Sequence, residues 1–171
     1  MDLLLDVAKE LKEELPDIAF VIIGDGADKD RVQNRVAEEN IGNVILLPFQ
    51  PYEDIAHVFS LGDVGLIISK PGVGNNSVPS KTWSIMACNT RIIASCDLDS
   101  ELCDIIRRSN AGICVEPQNK NELVRAILEE YQMEPDMHTD TRKTVMQIAS
   151  KNVCTTAYLK QFKACLESQE G

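Results

Sequence analysis

Residues 78–95, VPSKTWSIMACNTRIIAS, contain a helix start followed directly by an apolar strand pattern, and this stretch decides the fold. It comes after a glycine-containing turn at residues 70–74, which itself follows the apolar run at residues 64–68. A strand, a loop, a helix start and a second strand therefore occur in quick succession. In such an arrangement, loop N–H groups and the positive end of a helix meet beyond the carboxyl end of a strand, where a phosphate can bind.

Similar apolar runs recur along the whole chain. Each is about as long as a short strand, is rich in valine and isoleucine, and lacks the alternation typical of half-exposed strands. Continuous apolar runs separated by helical segments indicate parallel strands covered on both faces. The sequence therefore predicts an α/β fold, a Rossmann-like parallel sheet of about five strands sandwiched by helices. The predicted strands are residues 18–23, 44–47, 64–68, 91–94 and 112–115.

The two ends of the sequence read as helices. The first residues place Leu3, Leu4, Val7, Ala8 and Leu11 on one helical face. A doubly wound domain normally begins with a strand, so the usual first strand is missing from this sequence or is replaced by another segment. We predict one Rossmann-like domain over residues 1–131, with C-terminal helices at residues 132–171 packing on the same domain.

Composition excludes several classes of function. The 171 residues are 44% apolar, which suits a single compact domain, and the net charge of −10 without a basic run argues against a nucleic-acid partner. No apolar stretch approaches the roughly 20 residues that span a bilayer, and the N-terminus lacks an export signal. We expect a cytoplasmic protein without membrane insertion. The six cysteines form no C-x-x-C pair, so we expect packed, reduced thiols, no metal site and no cofactor.

Three short motifs are candidates for a binding site, and each also has a purely structural explanation. Gly24-Asp25-Gly26 follows a predicted strand, where it forms either a tight turn or a close approach to a ligand. Residues 48–51, Pro-Phe-Gln-Pro, are stiffened by two prolines, which serve either packing or contact with a planar base. Ser80 and Lys81 after Pro79 are either a cap and a surface charge or an anion site at a helix N-terminus.

The order of these motifs resembles a known family. VIIGDG, NVILLPFQPYEDIAHVFSLGDVGLIIS, SIMACNTRIIAS and AGICVEPQNKNELVRAI occur in sequence between the first helix and about residue 131. This order is similar to the C-terminal, nucleotide-sugar-binding half of family 4 glycosyltransferases of the GT-B fold. In particular it resembles the branch with Pro-Ser-Lys ahead of the helix, which includes bacterial amino-sugar and deoxy-sugar transferases of surface polysaccharide synthesis.

The resemblance implies a function for the whole chain. It implies the donor half of a retaining glycosyltransferase in polysaccharide or glycoconjugate biosynthesis, which needs no metal and takes a nucleoside diphosphate sugar as substrate. A UDP-sugar is the expected donor, with a GDP-sugar as the alternative. The N-terminal acceptor domain is absent from this sequence, so we expect the fragment to be inactive alone. The full-length protein would then associate, if at all, with the cytoplasmic face of a membrane.

The resemblance also implies a role for each site residue. The donor crevice would include Gly24 and Gly26, and the nucleobase would be flanked by Pro48, Phe49 and Gln50. The sugar and diphosphate would face a loop with Gly72, Gly74 and Asn76, and the phosphates would meet a helix N-terminus formed by Pro79, Ser80 and Lys81. Many members carry two glutamates eight positions apart across this region. The matching residues here are Asn76 and Ser84, so the ribose contact is unusual.

Two other readings remain open from the residues. A receiver-like or other non-catalytic nucleotide-binding module needs a carboxylate cluster at strand ends, which Asp25 and Asp63 do not provide convincingly, since Asp63 precedes its strand. A sugar-nucleotide epimerase-like domain needs an acid or base in the crevice, and His57 lies on a predicted helix. An exposed sheet edge left by the missing strand would offer a route to a homodimer.

Overall fold

The computed structural model describes residues 1–73, 77–133 and 140–167. Helices and strands alternate through most of this range, as the apolar runs predict. A short 3-10 turn at Tyr52–Asp54 precedes the third helix. The elements are α1 (Asp2–Glu14), β1 (Phe20–Ile23), α2 (Lys29–Glu38), β2 (Val44–Leu47), α3 (Ile55–Phe59), β3 (Val64–Ile68), α4 (Ser80–Ala87), β4 (Arg91–Ser95), α5 (Glu101–Arg108), β5 (Gly112–Val115), α6 (Lys120–Tyr131), α7 (Thr141–Ile148) and α8 (Lys151–Glu167).

All strand pairs are parallel, which confirms the predicted α/β class. The strands form a two-stranded sheet, β1-β2, and a three-stranded sheet, β3-β4-β5. Residues 18 and 19 were predicted as strand but lie outside it. The reason is that the Ile18 N–H bonds the Leu15 carbonyl in the turn after α1, whereas Phe20 is the first residue to bond across to Asn43.

Each strand of the larger sheet sends alternate residues to opposite faces. Ile93 of β4 belongs to one apolar cluster, and its neighbours Ile92 and Ala94 belong to another. The first cluster also contains the apolar faces of α1, α2 and α6, and it includes residues from both sheets. The second cluster contains residues of α4, α5 and α7. Helices therefore cover both faces of the three-stranded sheet, as in a three-layer α/β domain.

Helix α1 is among the most buried elements. Its residues Leu5, Val7, Ala8 and Leu11 have no exposed surface, and Lys120 of α6 pairs with Glu10 across the helix contact at 2.6 Å. Such a helix owes its stability to the apolar face it buries more than to its intrinsic propensity.

The C-terminal helices differ from one another. Helix α7 packs against α4, and the Thr141 hydroxyl donates to the Met86 carbonyl at 2.8 Å while Val145 joins the second cluster. Helix α8 contacts α7 but buries none of its residues. Its exposed apolar side chains are Val153, Tyr158, Leu159, Phe162 and Leu166.

Candidate functional site

A cleft lies at the carboxyl ends of β1 and β2. It has a volume of about 330 Å³, and Gly24, Gly26 and Pro48 all line it together with Lys29. Parallel strands end at the same side of a sheet, which is where ligands bind in open α/β folds. The structure therefore brings three of the sequence-predicted site residues into one cleft.

The Gly24 turn is built by the backbone conformation of a glycine. Gly24 has a φ of +144°, and its N–H donates to the Leu47 carbonyl at 3.2 Å, which ties the turn to the end of β2. A Cβ at this position would meet no atom within 4 Å. The requirement for glycine is therefore one of backbone conformation, because other residues rarely adopt this φ.

The charged side chains of Asp25 and Lys29 interact at this turn. The Asp25 carboxylate accepts a hydrogen bond from the Gly26 N–H at 2.9 Å, and the ammonium of Lys29 lies 3.4 Å away. The backbone hydrogen bond and the nearby lysine lower the pKa of Asp25. Lys29 was missed by the sequence reasoning. The signal for it was a cation at the first position of the helix that follows the glycine turn.

The loop after β2 reaches the cleft through Pro48. Phe49 is 78% exposed, and the side-chain amide of Gln50 donates to the Pro48 carbonyl at 2.8 Å. Pro48 lines the cleft, while Phe49 and Gln50 are not among its lining residues. An exposed aromatic ring next to a stiff turn is available for stacking against a planar group.

The loop after β3 is tied to the end of β4. Gly72 has a φ of +76°, and its N–H donates to an Asp97 carboxylate oxygen at 3.0 Å. The hydrogen bond to Asp97, which follows β4, therefore fixes the position of this loop after β3. The predicted site residues Gly74 and Asn76 lie outside the described residues.

The N-terminus of α4 carries a lysine close to the open end of the helix. Pro79 is the N-cap of α4 and Ser80 is its first helical residue. No side chain in the described part of the chain caps this turn, so Ser80 is not a cap. Ser80 and Lys81 are exposed and Ser84 is half-buried.

The side chain of Lys81 is exposed to solvent, yet the surrounding protein partly desolvates its ammonium group. This desolvation lowers the pKa of Lys81. Among the residues that the structure describes, no carboxylate forms an ion pair with Lys81. A desolvated cation beside the first N–H groups of a helix favours an anionic ligand.

Close packing on β3 and β4 sets the position of α4. A Cβ added at Gly65 of β3 would lie 2.9 Å from side-chain atoms of Ile85, so the helix approaches the strand more closely than any larger residue allows. Thr82 is fully buried in the same helix, and its hydroxyl has no hydrogen-bond partner in the described structure.

A second, acidic cleft lies at the carboxyl ends of β4 and β5. It has a volume of about 370 Å³ and is lined by Asp97, Asp99 and Glu116 together with Pro71, Leu98 and Pro117. These carboxylates would repel a diphosphate and suit hydroxyl groups instead. The sequence reasoning did not select them, although each lies within five residues of the end of a predicted strand.

The residues that other functions would need lie elsewhere. His57 is exposed on α3, and Asp63 is exposed just before β3. Neither residue lines the two clefts described above.

None of the helices in residues 1–73, 77–133 and 140–167 combines the length and apolar character that crossing a membrane requires.

Solved structures share this fold. A TarM mutant from S. aureus, crystallised with fondaparinux, α-GlcNAc-glycerol and UDP, superposes with a TM-score of 0.76 at 19% identity, covering 94% of this chain and 32% of TarM. The pneumococcal O-GlcNAc transferase GtfA, crystallised with UDP and GlcNAc, gives a TM-score of 0.70 at 19% identity, covering 98% of this chain and 32% of GtfA. The likeness confirms a Rossmann-like domain of the GT-B type.

Curated relatives are glycosyltransferases by name. WcaI of Escherichia coli K12, named for colanic acid biosynthesis, is 26% identical over 124 residues, which cover 72% of this chain and 30% of WcaI. WbjE of Pseudomonas aeruginosa is 26% identical over 148 residues, which cover 86% of this chain and 36% of WbjE. The chain spans about a third of the length of these relatives. Residues 1–147 match the family model for glycosyl transferases group 1, and the chain therefore belongs to the group 1 glycosyl transferases.

Proposed function

We propose that this chain binds the nucleoside diphosphate sugar donor of a retaining glycosyltransferase. The observation that carries the proposal is the N-terminus of α4, where Lys81 forms no described ion pair and adjoins a helix start without a side-chain cap in the described part of the chain. Positive charge and oriented N–H groups at that place stabilise the diphosphate that leaves when the glycosidic bond forms. No catalytic metal is needed for this role.

We assign the remaining candidate site residues to the base and the sugar of the donor. The base lies against the Gly24 turn and the Pro48 loop, with the exposed ring of Phe49 available to stack on it. The sugar hydroxyls face the acidic second cleft, where carboxylates accept hydrogen bonds. Asn76 and Ser84 stand where many members carry the two carboxylates, so the ribose contact is made without them. UDP in the crystals of TarM and GtfA supports a uridine base over guanosine.

Replacing Lys81 tests the site directly. The Lys81→Ala variant should bind UDP roughly ten- to a hundredfold more weakly, because a hydrogen bond to a charged group contributes about 1.5–3 kcal/mol. Calorimetric titration with UDP and with GDP measures the affinity and the base preference. Ser80→Ala should cost less, since it removes a neutral donor.

Lys163→Ala is the matched control, because that lysine is exposed on α8, away from both clefts. Equal UDP affinity of the Lys81→Ala and Lys163→Ala variants would refute the assignment. So would the absence of any nucleotide binding by the unmodified chain.

Catalysis is expected to need more than these residues. The relatives are about three times as long, and we propose that in such proteins the acceptor is held by residues outside this domain. We therefore expect the 171-residue chain to bind donor without transferring sugar. Release of UDP from a UDP-sugar in the presence of acceptor lipids or sugars, followed with a coupled assay, would contradict this expectation. A role in polysaccharide biosynthesis follows WcaI by analogy, and a cytoplasmic location stays a prediction.

A further inference from the structure

Three cysteines that are distant in sequence meet beside the ends of β4 and β5. Cys96 directly follows β4, Cys103 lies in the first turn of α5, and Cys114 is in β5. Their sulfur atoms all lie within 4.8 Å of one another. Cys96 and Cys103 have no exposed surface, and Cys114 is half-buried. The donor site proposed above does not use this cluster.

The backbone holds this cluster in place. The Cys96 N–H donates to the Val115 carbonyl at 3.0 Å, which fixes the end of β4 against β5. The Cys103 N–H donates to the Ser100 hydroxyl, the N-cap of α5, at 3.3 Å. Backbone hydrogen bonds therefore hold Cys96 and Cys103 in place without using their sulfur atoms.

We propose that Cys96, Cys103 and Cys114 bind one thiophilic metal ion, Cu(I) in preference to Zn²⁺. An ion bound to three sulfurs in a plane with bonds of about 2.3 Å, the length found for zinc, holds those sulfurs about 4 Å apart. That separation lies within the observed limit, so small side-chain movements complete the site. Each sulfur that binds loses its proton to solvent.

The number of ligands distinguishes the two metals. Structural zinc is almost always bound by four protein ligands, and only these three His, Cys, Asp or Glu ligands form the cluster in the described part of the chain. Burial of two of the sulfurs limits access for water as a fourth ligand. Soft thiolates favour Cu(I), which suits three-sulfur coordination.

Burial raises the pKa of Cys103, and the hydrogen bond with Cys96 and burial raise the pKa of Cys114. Asp97 adds negative charge beside Cys96. The bound ion itself must therefore offset most of the charge of the three thiolates, and the start of α5 offsets a smaller part.

The N-terminus of α5 begins at Glu101, two residues before Cys103, and places the positive end of the helix dipole at the cluster. Arg107 lies one turn further along the same helix, and its charge opposes only part of the effect of burial, which raises the pKa of Cys103. A bound ion would then join β4, β5 and α5 on the side of the acidic cleft.

The test measures Cu(I) binding without the other three thiols. The Cys88→Ser, Cys154→Ser and Cys165→Ser changes remove the half-buried and exposed thiols outside the cluster, and we call this triple variant the background chain. Any affinity tag is cleaved before the titration, so that only the protein binds the metal. Anaerobic titration against a chromophoric Cu(I) chelator should give one bound ion per chain, and Zn²⁺ should compete poorly. Adding Cys114→Ser to this background should weaken Cu(I) binding at least a hundredfold.

Two outcomes would overturn the proposal: no stoichiometric Cu(I) binding by the background chain, or equal binding after Cys114→Ser. Tighter binding of Zn²⁺ than of Cu(I) would overturn the metal preference. If the Cys114→Ser chain does not fold, X-ray absorption on the loaded background chain decides the question. Three sulfur neighbours support the site, and two or fewer contradict it. UDP titration of the metal-free chain tests the donor site independently, so the two proposals fail separately.

Discussion

Arg91, the first residue of β4, forms a buried ion pair with Glu130 in the last turn of α6. The guanidinium donates to both carboxylate oxygens, at 3.0 and 2.6 Å, and also to the Asn110 carbonyl at 2.9 Å. The two side chains are only 6% and 2% exposed. A two-point contact of this kind fixes the angle between β4 and α6. It could not be predicted from the sequence, because the partners are 39 residues apart and nothing in either local pattern points to the other.

Neutralising this carboxylate should be costly. Glu130→Gln leaves Arg91 charged and buried without its counter-charge, and we expect a loss of about 3–5 kcal/mol in the free energy of unfolding. Urea denaturation measures the change. The matched control is Asp104→Asn, which breaks the exposed pair with Arg108 and should cost no more than about 0.5 kcal/mol. Similar losses in the two variants would show that the buried Arg91 pair contributes no more to the free energy of unfolding than the exposed pair.

At the scale of elements, the sequence predicted the strands well and the site only in part. Strands of continuous Val and Ile are recognisable because both of their faces are covered, as Ile92 and Ile93 of β4 illustrate. The cap of α6 is likewise a local feature, an Asn-x-x-Glu pattern in which the Asn119 side chain accepts from the Glu122 N–H at 3.2 Å. The clefts depend on how loops from separate units meet, and a linear pattern does not encode that. The acidic residues near Asp97 were missed for this reason, whereas Lys29 had a local signal as the first residue of the helix after the glycine turn.

The contact of α4 with β3 connects packing to the proposed donor site. Gly65→Ala would place a methyl group against buried Ile85, and overpacking of this kind costs about 1–3 kcal/mol of stability. Because α4 must shift to relieve the contact, we expect weaker UDP binding as well as a lower urea midpoint. Gly62→Ala is the control, since its Cβ meets nothing closer than 3.6 Å. A Gly65→Ala chain with reduced stability and unchanged UDP affinity would show that the start of α4 stays in place.

At the scale of the whole molecule, one apolar cluster connects the two sheets. Helix α2 packs in the first cluster, whereas α4 and α5 pack in the second, on the other face. Helix α1 connects the two sheets, because it shares the first cluster with Phe20 of β1 and Leu66 of β3.

The edge of β1 opposite β2 carries hydrogen-bonding groups that pair with no described strand. Phe20 and Gly24 donate to the β2 side, at Asn43 and Leu47, so the intervening Val21 N–H points to the opposite edge. No described strand pairs with that edge. The adjoining sheet face is also apolar and uncovered, since Val21 is 39% and Ile45 45% exposed. Unpaired edges of this kind bind further strands.

We therefore expect two copies of this chain to pair through the edge of β1. Light scattering across a concentration series should show a dimer, and Val21→Pro should shift it towards monomer, because proline removes the free edge donor without touching the β1-β2 ladder. Val21→Thr keeps the N–H and the β-branched shape, so its dimer should persist. A monomer at the highest concentration contradicts pairing of any kind. A dimer that survives Val21→Pro instead assigns the contact to another surface, such as the exposed apolar residues of α8.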